Sequence, residues 1–494
     1  MKSVVSVDNM RQSDRYTIEN ITPSLKLMYR AGCGIVNSVE WRGKILIVAG
    51  KGNNAGDGYV VALILKGRGY DVEILLLDKA FSHDGEFYFE RCQKENIPYR
   101  VYENEDLCGY DIIVDCIFGT GFSGSVTGKA KEVIQKINES GAYVVSADIN
   151  SGLNGDSGLC ELCVKSDLTV SIGDFKSGHF LGMAKDVIGK AVNTSIGIEL
   201  CSEPYYLVEK DDVKNILGKR DNFSHKGTYG YVALIGGSLE YSGAIKLSAI
   251  ANGALRSGCG VAKILAPRSI CHSILPYILE STLYPLDEEN GSIKFNKAQL
   301  GEGLKGISAI AIGMGMGQRG DNCEILNHIL ENYSVPLIID ADGLNTLAKM
   351  GMDKVKKSAC SVILTPHLKE LERLSRTPIS EIEKNPVEFA KNFARENNVI
   401  LLLKGPCTVI TDGERVFLSN TGCAGMACGG SGDVLSGILL SLCAKSKDLT
   451  LSVSAGSYIN GYAGEIAQSK SCAISMTAGD TARAVAEAIT EIIK

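Results

Sequence analysis

The chain has 494 residues, 45% of them apolar and 22% charged, with a net charge of −6. At roughly 150 residues per domain it is too long for one ordinary domain and accommodates two large α/β domains. The acidic balance, with no basic tail and no Lys/Arg cluster, excludes the electrostatic footprint of a nucleic-acid binder.

In chain order, the first half alternates short apolar runs with amphipathic stretches. Lys44–Ala49, Val72–Leu77, Asp111–Cys116, Ala142–Asp148 and Leu168–Ile172 read as strands buried on both faces. Gly58–Lys66 and Ala130–Ser140 read as helices between them. This βαβα rhythm predicts a doubly wound, Rossmann-like, mostly parallel sheet, with functional residues at the carboxyl ends of its strands. The pattern lapses between Glu199 and Arg220, which predicts domains over 1–204 and 205–494. The second domain restarts with strands at Tyr231–Ile235, Val261–Leu265, Ala309–Ile312, Leu337–Asp340, Ser361–Leu364 and Ile400–Leu403. Cys407–Thr411 and Arg415–Leu418 follow as a hairpin across Asp412-Gly413. A helix after Asp433 then carries Val434, Leu435, Ile438, Leu439 and Leu442 on one face.

Met1–Asn20 is polar and charged, without the apolar core of a secretory leader, and no apolar run nears the roughly 18–20 residues of a membrane span. The expectation is a cytoplasmic protein that engages no membrane. The sixteen cysteines are scattered, several within apolar runs (Cys116, Cys271, Cys443), as reduced buried thiols would be. Cys160-Glu161-Leu162-Cys163 is the one close pair, and no second pair or histidine stands beside it to complete a zinc site.

Chemistry concentrates in two glycine-rich turns, each with its own acid. Gly50-Lys51-Gly52-Asn53-Asn54-Ala55-Gly56-Asp57-Gly58 follows the first strand, and Gly429-Gly430-Ser431-Gly432-Asp433 opens the late helix. Such a turn lets backbone N–H groups approach a phosphate at a helix start. The first is spaced GxGxxxG, and Asp78 ends the next strand, so a nicotinamide dehydrogenase is one reading. Asn53, Asn54 and Asp57 make the loop more polar than that reading requires, and their oxygens suit a cation or a ligand hydroxyl. Two further turns belong to the same sheet rim. Asp115 precedes Gly119-Thr120-Gly121-Phe122-Ser123-Gly124-Ser125, and Asp148 opens Asp148-Ile149-Asn150-Ser151-Gly152. Singly, these acids serve as caps or Asx turns.

The three N-terminal segments, with Lys176, Gly178 and His179, resemble the epimerase domain of NAD(P)H-hydrate repair enzymes from about Val7 to Ile198. The resemblance implies that Asn53, Asn54, Ala55, Gly56 and Asp57, the turn Gly119–Ser125 (Gly119, Thr120, Gly121, Phe122, Ser123, Gly124, Ser125) and Asp148 hold the hydrated dinucleotide. Asp148 is the implied acid/base, and K+ is implied beside Asn54, Asp115 and Ser151. Two positions depart from the family pattern: Ala55 stands where glycine is common, putting one turn with positive φ in question, and Asn150 stands where proline is common.

In the second half, strand ends carry Gly236-Gly237-Ser238, Gly313-Met314-Gly315, Asp340-Ala341-Asp342-Gly343, Thr365-Pro366-His367 and Lys404-Gly405-Pro406-Cys407-Thr408. With Gly-Gly-Ser-Gly-Asp before a helix, these segments resemble the ribokinase-like superfamily, and the ADP-dependent NAD(P)H-hydrate dehydratase domain in particular. The resemblance implies Asp433 as base and Ala244, Gly315, His367 and Asp433 as the substrate site. It implies Lys404, Gly405, Pro406, Cys407, Thr408 and Gly432 as the nucleotide site, with Mg2+ and with ADP as co-substrate. The small-molecule partners are then the hydrates of NADH and NADPH and ADP, on an α/β enzyme expected to be a homo-oligomer. His367-Leu368-Lys369-Glu370 departs from the small residues usual after the histidine. Two alternatives remain: a vitamin or sugar kinase fused to a nucleotide-binding domain, and a non-catalytic nucleotide sensor.

Overall fold

The computed structural model describes residues 1–250 and 253–494, without the side chains of 250, 253 and 254. It divides into two compact units, Ser3–Tyr205 and Tyr206–Lys494, the second including Met1 and Lys2.

The first unit is built on a parallel sheet. Its strands lie in the order Tyr99–Val101, Asp71–Leu76, Lys44–Ala49, Ile112–Cys116, Tyr143–Ala147, Ser166–Ile172, Ile188–Thr194. Every residue of Ile112–Cys116 is buried, because helices cover both faces and leave no solvated side. The order reverses between Lys44–Ala49 and Ile112–Cys116. At such a switch point the chain leaves both strands in opposite directions and opens a crevice at their carboxyl ends. The turns after Ala49 and Cys116 border that crevice.

The helix expected from Gly58 begins instead at Asn53 and runs to Gly67. Gly52, in extended conformation, is the N-cap, and Asn53–Asp57 form the first helical turn rather than a loop. This removes the question about Ala55: it is helical, 1% exposed, and its methyl packs into the core with Tyr59 and Val60. The close approach falls to its neighbours. A Cβ at Gly56 would lie 2.5 Å from the Met28 sulfur, and one at Gly58 2.7 Å from the Cys116 sulfur.

The second unit has a sheet ordered Thr282–Leu286, Val261–Pro267, Tyr231–Ile235, Ala309–Ile312, Leu337–Ile339, Val362–Leu364, Ile400–Leu403, Thr408–Thr411, Val416–Ser419. It is parallel as far as Ile400–Leu403 and antiparallel in the following two pairings. Tyr206 and Leu207 add a short parallel strand beside Phe417 and Leu418, where the sequence pattern lapses. Helix Ser431–Cys443 packs against this core through Val434, Leu435, Ile438 and Leu439, and Leu442 is only partly buried. Among the described residues no helix is long and apolar enough to cross a membrane.

Candidate functional sites

In the first unit a cavity of about 620 Å³ occupies the switch-point crevice. Asn53, Asn54, Asp57, Gly119–Ser123 and Asp148 line it, together with Arg11 and Asp14 from the helix Val7–Asn20 and Lys176 from beyond the fifth expected strand. Gly124 and Ser125 lie outside the lining. Ala55 and Gly56 are buried behind it and position the helix instead. Asp148 sits at φ +62, a strained setting for a non-glycine residue. It is held there by an Nζ of Lys176 at 2.5 Å and by the Thr120 and Ile172 N–H groups, each at 3.4 Å. His179 Nε2 meets its carbonyl at 2.7 Å.

Lys176 is 2% exposed. Burial pushes Asp148 up, but the adjacent ammonium outweighs it and holds Asp148 below the usual carboxylate range. Asp57 has no such partner: burial, then the charges of Asp148 and Asp14, push it well above that range. Asp14 moves up as well, by burial first. Lys176 thus stands beside the carboxylates of Asp148, Asp57 and Asp14, with Lys51 and Asp84 also on the cavity wall. It holds Asp148 ionised, while Asp57 and Asp14 bind a proton more tightly than a free carboxylate does.

Asp115, fully buried, accepts from the Ser151 hydroxyl at 2.5 Å, the Ser151 N–H at 2.9 Å, the Ser146 hydroxyl at 2.9 Å and the Ile117 N–H at 3.2 Å. Asn54 donates to the Phe118 and Ala147 carbonyls, which leaves its own Oδ1 buried without a partner. A single carboxylate among neutral oxygens, one of them orphaned, is a donor set suited to a hard monovalent cation. Asn150 replaces the expected proline by building a network. Its amide donates to the Val164 and Val187 carbonyls and the Ser166 hydroxyl, and it accepts from Thr169.

In the second unit the carboxyl ends of successive parallel strands deliver Gly313–Gly315, Asp340, Thr365–His367 and Lys404 to one rim. Lys404 is a half-buried, paired cation rather than a freely solvated one. Its Nζ lies 2.9 Å from Asp340 and 3.7 Å from Glu370. Asp340 also accepts from Ser436 at 2.7 Å, in the helix that begins at Ser431. Burial raises Asp340, and Lys404 overcomes it, so this acid is held low.

Asp433 lies in the first turn of that helix, after Gly430 at φ +99. Among the described residues no cation pairs with it directly. Burial, then Asp340 and Asp342, push it up to about 7 against the pull of Lys404. A helix start favours an anion by only about 0.3–1 kcal/mol, which does not offset this environment. Asp342 is turned to Gly317 N–H at 2.8 Å and Gln318 at 2.8 Å.

His367 caps its own helix, accepting from Glu370 N–H at 3.3 Å, while its own N–H donates to the Glu370 carboxylate at 2.9 Å. Glu370, the departure noted after the histidine, therefore completes a capping box and reaches Lys404. Gly315, at φ +66, packs so close to Ala244 that a Cβ would sit 2.8 Å from the alanine methyl. Gly405 and Pro406 are exposed and Cys407 is buried in the core, so Cys407 offers a ligand only its backbone. Asp14 and Ser436 are absent from the sequence reading of these sites, and Lys176, Asp340 and Glu370 appear there only within motif segments, without a role of their own.

Comparison with known proteins decides the family. Residues 232–487 match the family described as NAD(P)H-hydrate dehydratase, and residues 24–178 match the one described as YjeF-related protein N-terminus. A curated relative from Moorella thermoacetica, named bifunctional NAD(P)H-hydrate repair enzyme Nnr, is 34% identical over 97% of this chain and 94% of its own length. The chain belongs to the bifunctional NAD(P)H-hydrate repair enzyme family. A relative of the same name from Archaeoglobus fulgidus is 35% identical over 94% of this chain and 93% of its own. The ADP/ATP-dependent NAD(P)H-hydrate dehydratase of Bacillus subtilis, co-crystallized with ATP/Mg2+, superposes with a TM-score of 0.50 at 28% identity. It covers 58% of this chain and 99% of its own. The ribokinase-like fold expected for the second half is thereby shared with a family member.

Proposed function

We propose that the first unit interconverts the R and S hydrates of NADH and NADPH, and that the second dehydrates the S form at the expense of ADP. One observation carries this reading. Each unit, at the carboxyl ends of its parallel strands, pairs a lysine with one of several carboxylates beside a helix whose N-cap is glycine.

In the first cavity, Asn53, Asn54, Asp57 and Gly119–Ser123 hold the dinucleotide. Epimerisation at C6 needs a proton taken and a proton given, whether the ring opens or hydroxide departs. Ionised Asp148 accepts one and protonated Asp57 supplies the other. A potassium ion would be held by Asn54 Oδ1, Asp115 and Ser151, and would supply charge neutralisation for Asp115.

In the second site, Asp433 takes the proton of the C6 hydroxyl as that oxygen attacks the terminal phosphoryl of ADP. The ring nitrogen then expels the phosphate, C5 gives up a proton, and the products are NAD(P)H, AMP and inorganic phosphate. A Mg2+ ion carried on the nucleotide phosphates would neutralise their developing charge. Gly429–Gly432 cradle those phosphates, with Lys404–Thr408 beside them, and Ala244, Gly315 and His367 border the substrate. A cytoplasmic homo-oligomer belongs to the same reading, and exposed Leu239, Tyr241, Leu275, Tyr277 and Leu279 offer apolar surface for assembly.

The test mixes the full-length protein with both hydrates, with and without ADP. Dihydronicotinamide absorbance returns fully, from both epimers, only with ADP, and one AMP forms per NAD(P)H. A stable phosphorylated product would make the protein a kinase. Untouched R hydrate would remove the epimerase.

A further inference from the structure

Outside the dinucleotide cavity, the first unit holds a second pair of reactive groups. The sulfurs of Cys160 and Cys163 lie 3.2 Å apart in the loop that leads into strand Ser166–Ile172. Cys160 is half-buried, with the Met183 sulfur 3.9 Å away, and Cys163 is 4% exposed. Sharing one hydrogen with Cys163 holds the Cys160 thiol below its ordinary value, and the same bond, with burial, pushes Cys163 up. An accessible, more acidic thiol beside a buried one is the asymmetry that thiol–disulfide exchange needs: one attacks and the other resolves.

We propose that Cys160 and Cys163 close reversibly into an intramolecular disulfide by exchange with a low-molecular-weight disulfide, and that closure slows the epimerase site. The Cys160 thiolate attacks one sulfur of the small disulfide, forming a mixed disulfide and releasing one thiolate. Cys163 loses its proton, attacks the Cys160 sulfur and releases the second. The protein pair gives up two electrons and two protons, and the small disulfide becomes two thiols.

Closure brings the sulfurs from 3.2 Å to about 2.05 Å, and the loop that moves is tied to the segment Asn150–Gly152. Val164 N–H donates to the Ser151 carbonyl at 3.0 Å, and the Asn150 amide donates to the Val164 carbonyl at 2.9 Å. Gly152, at φ +98, lies so close that a Cβ there would meet the Leu162 carbonyl at 2.3 Å and Cys163 Cα at 3.0 Å. Any shift at Cys163 therefore presses on the segment that carries Asp148 and the Asp115 partner Ser151. This kinetic consequence rests on the epimerase reading; formation of the disulfide does not.

The experiment equilibrates the full-length protein in glutathione buffers of increasing oxidised fraction. The disulfide is mapped by peptide mass spectrometry, and epimerisation and dehydration are followed in parallel. The expected result is loss of two hydrogens from the peptide holding Cys160 and Cys163, and a several-fold fall in epimerisation with dehydration unchanged. Both effects reverse with dithiothreitol. Cys160→Ser is insensitive, and Cys163→Ser stops at a glutathione adduct on Cys160. The proposal is overturned if this peptide stays reduced while the exposed Cys108, Cys201 and Cys472 acquire glutathione. It is equally overturned if Cys160→Ser loses epimerisation as the wild type does, or if the disulfide forms without changing the rate. A protein with no epimerase activity in either state, but with the disulfide mapped, would instead refute the reading of the site.

Discussion

Each site ion-pairs one lysine with a carboxylate, but the two sites pair it differently with the acid the chemistry needs. In the first unit Lys176 touches Asp148, the candidate acid/base, and Asp57 is left to hold a proton. In the second, Lys404 touches Asp340, and Asp433, the candidate base, is left unpaired with a value near 7. The lesson is that the identity of the ionised carboxylate is fixed by contact with the ammonium, and its neighbours then pay in proton affinity. A base fully ionised from the start suits a reversible epimerisation. A base poised near neutrality is strong enough to take a hydroxyl proton during phosphoryl transfer.

The largest expected effect breaks the second half of the comparison. Asp433→Asn should lower dehydration by about 10²–10⁴-fold, the usual worth of a general base, and leave epimerisation unchanged. Steady-state rates with pure S hydrate and ADP check this, and a loss under about threefold contradicts it.

Next comes the lysine itself. Lys404→Met leaves the carboxylate of Asp340, 2% exposed, without its cation. Breaking such a buried pair from one side typically costs about 3–5 kcal/mol. Chemical denaturation should show that loss, and the double variant Lys404→Met/Asp340→Asn should recover most of it.

Asp115→Ala sharpens the first half. If the Asn54–Asp115–Ser151 cluster holds potassium, the variant loses both epimerisation and its potassium dependence, while S-hydrate dehydration is kept. If Asp115 is only a turn cap, thermal unfolding shifts by about 0.5–2 kcal/mol at an unchanged rate.

The smallest effect tests scaffolding. Asn150→Ala removes a fully buried side chain and leaves the Thr169 hydroxyl and two carbonyls short of a partner. The expected cost is about 1–3 kcal/mol by denaturation.

Much of this is legible in the residues because the first sheet and most of the second are parallel. Continuous runs such as Lys44–Ala49 and Ile400–Leu403 are strands, and the turns that follow them share a rim. Edge strands were not legible. In Ile188–Thr194 only Ile188 is buried, and Thr282–Leu286 is broken by Pro285, so neither shows a buried run. The start of helix Asn53–Gly67 is not legible because Asn53, Asn54 and Asp57 read as turn formers, whereas all three are helical. The ion pairs lie deeper still. Lys176 is 28 residues from Asp148 and Lys404 is 64 from Asp340, and Asp14 reaches the cavity from a helix that precedes the sheet. Spacing along the chain carries no trace of such contacts, since only the tertiary fold decides which carboxylate meets the ammonium.

The most direct test of that central claim is the pH dependence of kcat/KM for both reactions on one preparation, between about pH 5 and pH 9. With Asp433 half-ionised near 7, dehydration should rise about tenfold per pH unit below that point and level off above it. Epimerisation should show no rise in this window, because Asp148 is already ionised and protonated Asp57 can only be lost as pH increases. A dehydration profile that is flat across the range, or that rises together with epimerisation, would contradict the account.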